Sequence, residues 1–142
     1  MVNYDEFFFV EDGSCNFFLE DRTRDDIKAI LSECITVKKS LFDNNTIDYS
    51  FSDGTGIYYD DKDMIIGLEI YSPHGSFFVD NMNLIGTKVF SLKKLFTKKN
   101  IYFDEVEDDL EINFNNHKIK LFIPDLTEKQ DEAVIESIYI TK

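Results

Sequence analysis

The stretch Gly56 to Asp80, GIYYDDKDMIIGLEIYSPHGSFFVD, limits what this chain can fold into more than any other. Its apolar runs are Ile57-Tyr58-Tyr59, Met64 to Ile70 and Phe77-Phe78-Val79. Asp60-Asp61-Lys62-Asp63 and Ser72-Pro73-His74-Gly75 break them apart. β-Branched and aromatic runs between polar turns predict a three-stranded antiparallel meander. Side chains alternate along a strand, so Ile66, Leu68 and Ile70 are expected on one face. That face needs a cover, which the rest of the chain must supply.

The flanks read as follows. Phe7 to Val10 and Phe17 to Leu19, around Glu11-Asp12-Gly13-Ser14, predict strand, turn, strand. Thr23 is placed to cap a helix over 24–34, with Asp25 and Asp26 at its positive end. Ile27, Ile30, Leu31 and Cys34 then form one apolar stripe. Ile35 to Phe42 reads either as a strand or as an irregular crossing. Ile47, Tyr49 and Phe51 alternate with Asp48 and Ser50, which predicts a hairpin between 46–51 and 56–60. Asn81 to Gly86 is a loop with an apolar anchor. Ser91 is placed to cap a second helix, Leu92 to Lys98, with Leu92, Leu95 and Phe96 inward and Asn100 as its stop. Ile101-Tyr102-Phe103 reads as the start of a further strand. Glu111 to Phe114 and His117 to Phe122 predict a hairpin turning at Asn115-Asn116, and Pro124 ends it. Asp125 to Glu132 is polar and loop-like. Ala133 to Ile140 suits a final strand, with a short helix over 128–136 as the alternative.

At 142 residues, with 14 Phe and 7 Tyr, the chain can build a core without metal or disulfide staples. No composition shift divides it. The expected fold is one α+β domain over 1–142, mainly an antiparallel meander sheet with two short helices packed on it.

The charge is −13, from 28 carboxylates against 15 Lys and Arg. Such a field repels nucleic acid and anionic membranes and attracts basic partners. It also keeps a Phe-rich protein soluble. No apolar run approaches the ~18 residues of a membrane span. The first residues carry no basic-then-apolar leader, and Cys15 and Cys34 make no disulfide framework, so the expected compartment is the cytoplasm.

Sites for chemistry are sparse. His74 and His117 have no Cys, His or Ser at a partner spacing, so an enzyme would need distant residues such as His74 with Asp80 or Glu69. Gly54-Thr55-Gly56 leads into a strand rather than a phosphate-binding helix. Neither Asp60–Asp63 nor Asp104–Glu111 has the spacing of a calcium loop, and no pattern suggests zinc. The reading is a non-enzyme with no cofactor and no metal.

What remains is acid beside tyrosine, a surface suited to a Lys- and Arg-rich protein. The candidate partner-binding residues are Tyr58, Tyr59, Asp60, Asp61 and Asp63, with Asp104, Glu105, Glu107, Asp108, Asp109 and Glu111. In small size, in acidity and in the order Gly56-Ile57-Tyr58-Tyr59-Asp60 … Ile65-Ile66-Gly67-Leu68-Glu69-Ile70, then a turn and an aromatic strand, the chain resembles bacterial immunity proteins of polymorphic and contact-dependent toxins. The resemblance spans roughly 47–122 and transfers no residue role. It implies a tight inhibitor that covers the active site of a cognate toxin domain, often a basic nuclease. The alternative is a non-catalytic protein- or small-ligand-binding module unrelated to toxins.

Overall fold

The computed structural model describes residues 8–11, 14–17, 23–31, 33–38, 41, 44–79, 81–114 and 117–141. Near the N-terminus, β1 (Phe8–Glu11) pairs with β2 (Ser14–Phe17), and α1 (Arg24–Ile30) follows. Then come β3 (Ile35–Lys38), β4 (Thr46–Ser50), β5 (Thr55–Tyr59) and β6 (Ile65–Tyr71). A short ribbon of β7 (Phe78–Val79) and β8 (Met82–Asn83) leads to α2 (Val89–Lys99). After it run β9 (Asp104–Val106), β10 (Asp109–Phe114) and β11 (His117–Phe122). The last elements are α3 (Leu126–Lys129), a 3-10 turn Gln130–Glu132, and β12 (Ser137–Thr141). Of the expected features, Phe7, Asp12-Gly13, Phe18-Leu19, Asp80 and the Asn115-Asn116 turn lie outside the described residues.

The fold is α+β, built on an eight-stranded antiparallel sheet in the order β3-β4-β5-β6-β12-β11-β10-β9. The two hairpins expected at 46–51/56–60 and 111–114/117–122 are both in it. The third strand of the predicted meander is not. Among the described residues β7 pairs only with β8, and the neighbour of β6 is β12. The register gives the reason: Ile138 lies opposite Ile70 and Ile140 opposite Leu68, all four fully buried. Phe77 and Val79 join the same core from outside the sheet.

One sheet face carries the core. Ile57, Leu68, Ile140, Ile119 and Ile112 form a cross-strand row on it, beside a second row from Ile70 through Ile138 and Leu121 to Leu110. Ile66 was expected there and is corrected. Pairing passes from Tyr58–Gly67 to Tyr59–Ile65, so Ile66 is the extra residue of a bulge and Ile65 takes the core position. The helices close this face, with Ile27, Leu92, Leu95, Phe96 and Leu126 in the core cluster.

Polar chemistry fastens α1. Asp48 and Ser50, the polar phase of β4, point to the covered face and are wholly buried. Arg24 meets Asp48 with two bonds, Nε to Oδ2 at 3.0 Å and Nη2 to Oδ1 at 2.8 Å, while Thr36 donates to Oδ1 at 2.7 Å. The same guanidinium lies 4.2 Å from the centroid of the Tyr59 ring. Thr23 caps the helix as expected, its Oγ1 accepting from the Asp26 amide. The helix ends at Ile30 rather than 34, because Leu31 is already extended and the chain must turn back to pair with β4. Leu31 is still buried, and Cys34 is half-buried against the core from beyond the helix. Burial, with the charge of Asp48 nearby, pushes the Cys34 thiol up, so it is a poor nucleophile.

α2 starts three residues before the expected Leu92, at Val89. Ser91 lies inside its first turn rather than capping it, and the buried Val89 explains the extension. Asn100 stops it as expected, in the left-handed region at φ 57°, its N–H shared by the Phe96 and Thr97 carbonyls. Asn100→Ala is expected to cost about 1 kcal/mol, and Asn100→Gly nothing, in urea melts. Equal losses for both variants would mean the side chain, not the backbone angle, matters there.

Three further readings are corrected. Strand structure begins at Asp104, not at Ile101. The loop-like 125–132 holds α3 and the 3-10 turn. The final strand begins at Ser137, because Val134 bridges Lys88 and Ile135 donates to the Thr87 carbonyl, which ties 134–135 to the start of α2. Ile35 to Lys38 is a strand, at one edge of the sheet.

Candidate functional site

The two acidic segments are built differently and lie apart. Asp60–Asp63 is the β5–β6 turn, and the Glu107-Asp108 turn of β9–β10 is at the opposite end of the sheet. Four strand spacings separate β5 from β10, about 19 Å. The structure therefore does not join them into one surface.

In the first segment the acids make the turn itself. Asp60 Oδ1 accepts from the Lys62 amide at 2.8 Å and the Met64 amide at 2.9 Å. Asp63, at φ 59°, accepts from Arg24 Nη1 at 2.7 Å. Asp61 is exposed, and among the described residues no cation lies within ion-pair distance of it.

In the second segment the two faces of a strand divide the acids. Glu105 lies opposite Leu110 on the covered face and pairs with Lys93 at 3.3 Å. Lys93 also meets Asp131 at 3.3 Å. These two carboxylates outweigh burial and hold the Lys93 ammonium above its ordinary range. With Glu107, Leu126, Thr127 and Gln130 they line a cleft of about 410 Å³. Thr127 donates to Asp108 at 3.2 Å. Asp104, Asp109 and Glu111 lie on the other face. Burial, then the nearby Glu111, Asp108 and Glu107, raise the Asp109 carboxyl against the pull of Lys120. Glu111 forms ion pairs with Lys118 at 3.8 Å and Lys120 at 3.7 Å.

The expected tyrosine pair separates in the same way. Tyr59 is 0% exposed on the covered face, which removes it as a surface anchor. Successive strand residues point to opposite faces, and the core took this one. Tyr58 points to the other face, half-buried, and donates to Glu69 Oε2 at 2.7 Å. Burial, the Glu69 carboxylate and the neighbouring Tyr49 together hold its hydroxyl far above the phenol range.

Around Tyr58 the register assembles a cluster that local sequence patterns do not reveal. Tyr49, Gly56, Glu69, Tyr139, Lys120, Glu111 and Asp104 are one continuous cross-strand row. Tyr71 and Tyr58 share its face on either side. Tyr139 meets Tyr58 edge-on at 5.3 Å and 81°, and Tyr49 stacks on Phe51 at 5.7 Å and 6°. Two glycines let the rings lie down: a Cβ on Gly56 would come within 2.8 Å of the Tyr49 ring, and one on Gly67 within 3.1 Å of the Tyr139 hydroxyl. The Tyr71 hydroxyl is buried and, among the described residues, has no hydrogen-bond partner. The signal in the sequence was Tyr, Gly and Glu at alternating strand positions. Register across four strands, which decides who meets whom, is not local.

A second cleft, also of about 410 Å³, lies where the β4–β5 turn meets the loop after β6. Asp53, His74, Ser76, Phe78 and Asn83 line it. Asn83 Oδ1 accepts from the Phe77 amide at 3.0 Å and the Ile85 amide at 3.2 Å, which fixes its side chain. His74 thus shares a cleft with Asp53, not with Glu69. Among the described residues no group of three or more His, Cys, Asp or Glu could hold a metal ion, and no helix is long and apolar enough to cross a membrane.

No protein-family model matches the chain, and no curated protein or solved structure matches it.

Proposed function

We propose that this is a cytoplasmic, non-catalytic binding protein of the immunity type, which neutralises a basic toxin domain by covering its active site. One observation carries the reading. Asp104, Asp109 and Glu111 stand on the same helix-free sheet face as Tyr58 and its tyrosine neighbours. Acid beside half-buried tyrosine on rigid strands is what a Lys- and Arg-rich partner needs for fast encounter and a firm anchor. The net charge of −13 extends that attraction beyond contact.

Co-expression with the toxin domain of the neighbouring reading frame should restore growth to cells that the toxin alone arrests. Continued arrest despite soluble expression of both overturns the reading. The acidic edge has its own test. Asp108→Lys with Asp109→Lys should lower the association rate at low salt by roughly tenfold or more, and less at high salt. An unchanged rate at low salt would exclude that edge from the docking surface.

A second reading has one observation behind it, the cleft between Asp53, His74 and Asn83. Its size suits a small ligand, and it would make the chain a ligand-binding module unrelated to toxins.

A further inference from the structure

Glu69 is a half-buried carboxylate in the middle of the helix-free sheet face. Its hydrogen bond is from the Tyr58 hydroxyl, and among the described residues no cation reaches it. The lysines that β11 places on that face, Lys118 and Lys120, pair with Glu111 instead. Lys93, Lys88 and Arg24 are engaged by acids elsewhere. A carboxylate walled by aromatic rings is expensive to leave without a positive partner.

The walls suit a cation. Tyr58 and Tyr139 stand at 81° to each other, so one ring offers a face where the other offers an edge. Tyr49 lies on the floor made by Gly56, and the Tyr71 hydroxyl, without a hydrogen-bond partner among the described residues, is on the same face. Ring faces attract cations, and a planar guanidinium can stack on tyrosine while bonding a carboxylate in two places. An ammonium can do the first but not the second. A hydrophobic partner would leave Glu69 buried and unpaired, and an acidic one would be repelled.

We propose that the surface of Tyr49, Tyr58, Tyr71 and Tyr139 around Glu69 receives an arginine side chain of the basic partner. This rests on the binding-protein reading and names its central contact. The arginine pairs with Glu69 and lies against the rings, while Asp109 and Glu111, three strand spacings or about 14 Å away, and Asp104, four spacings or about 19 Å away, face the rest of the basic surface.

The test needs no toxin. The probe is Nα-acetyl-arginine amide, followed through the tyrosine ring resonances of the whole chain by NMR. Saturable shifts of Tyr49, Tyr58, Tyr71 and Tyr139 are expected, with weaker shifts from Nα-acetyl-lysine amide. The uncharged isostere Nα-acetyl-citrulline amide should cause none. Glu69→Gln keeps an acceptor for Tyr58 and removes the charge, so arginine affinity should fall at least tenfold with the fold intact. Tyr58→Phe keeps the ring and frees the carboxylate, so binding should persist. Unmoved tyrosine resonances, equal shifts with citrulline, or equal affinity in Glu69→Gln would overturn the proposal. Growth rescue with a failed titration removes this contact alone. A positive titration without rescue removes the toxin reading alone.

Discussion

Arg24→Ala is expected to lower stability by about 3–5 kcal/mol, the largest effect of any surface-proximal substitution here. The variant leaves Asp48, 0% exposed, with Thr36 at 2.7 Å and Lys28 at 3.9 Å as its remaining partners. It also strips the cation from the Tyr59 ring and releases Asp63. Arg24→Lys should recover little, because an ammonium cannot reproduce the two-point bond. Replacing both partners, Arg24→Met with Asp48→Leu, should recover most of the loss, since it removes the stranded charge. Urea denaturation at pH 7 measures all three. A loss below about 1 kcal/mol for Arg24→Ala would show that water or Lys28 replaces the guanidinium without difficulty.

The same pair carries an acid dependence. Burial pushes the Asp48 carboxyl up, but its bonds to Arg24 and Thr36, with Lys28 nearby, overcome that and hold it below its ordinary value. A lowered folded value means the ionised carboxylate stabilises the fold above about pH 4 and loses that effect as pH falls through the folded value. Arg24→Ala should lose this part of the acid sensitivity.

Gly54→Ala is the second large effect, expected at about 3 kcal/mol or more, with failure to fold at the upper end. Gly54 sits at φ +60°, where a side chain is strained, and an added Cβ would lie 2.2 Å from the Gly75 nitrogen and 2.5 Å from the Tyr71 carbonyl oxygen. Both obstacles are backbone, so no rotamer relieves them. The contact is a working one: the Tyr71 amide donates to the Gly54 carbonyl at 2.9 Å and the Gly75 amide to the Tyr71 carbonyl at 2.8 Å. Gly86→Ala is the control. At φ +80° with no atom of the described residues within 4 Å of an added Cβ, it meets backbone strain alone and should cost about 1 kcal/mol. Equal thermal shifts for the two variants would mean the turns are not interlocked.

Much of the sheet was readable because hairpins are local. Thr23, the 46–51/56–60 hairpin and Asn100 each follow from a few adjacent residues. What escaped depends on distant partners. Phe77-Phe78-Val79 has the composition of a strand, but Ile138 and Ile140 compete for the edge of β6 with a better match. Asp48 and Ser50 are the polar residues in the alternation of β4, and their burial depends on partners outside the strand, Arg24 and Thr36 for Asp48 and Asp53 for Ser50. The bulge at Ile66 reverses the phase of the alternation, so Ile65 and Leu68, three apart, both face the core and Ile66 does not. For the candidate site, Tyr58 was singled out from the sequence as a candidate. Its partners Tyr49, Glu69, Tyr71 and Tyr139 were not, because they come together only through cross-strand register. Acid density pointed to Asp60–Asp63, where two of the carboxylates turn out to hold the turn and α1 together.

The place of β12 between β6 and β11 has a consequence for how the protein is made. The segments flanking it are synthesised first, and each leaves the ribosome with a bare row of backbone donors and acceptors. Until 137–141 has emerged, no strand joins the two halves of the sheet, and each presents an open edge of the kind that pairs with other chains. The central seam of the molecule is thus laid last, and closing it is a race between zipping and self-association.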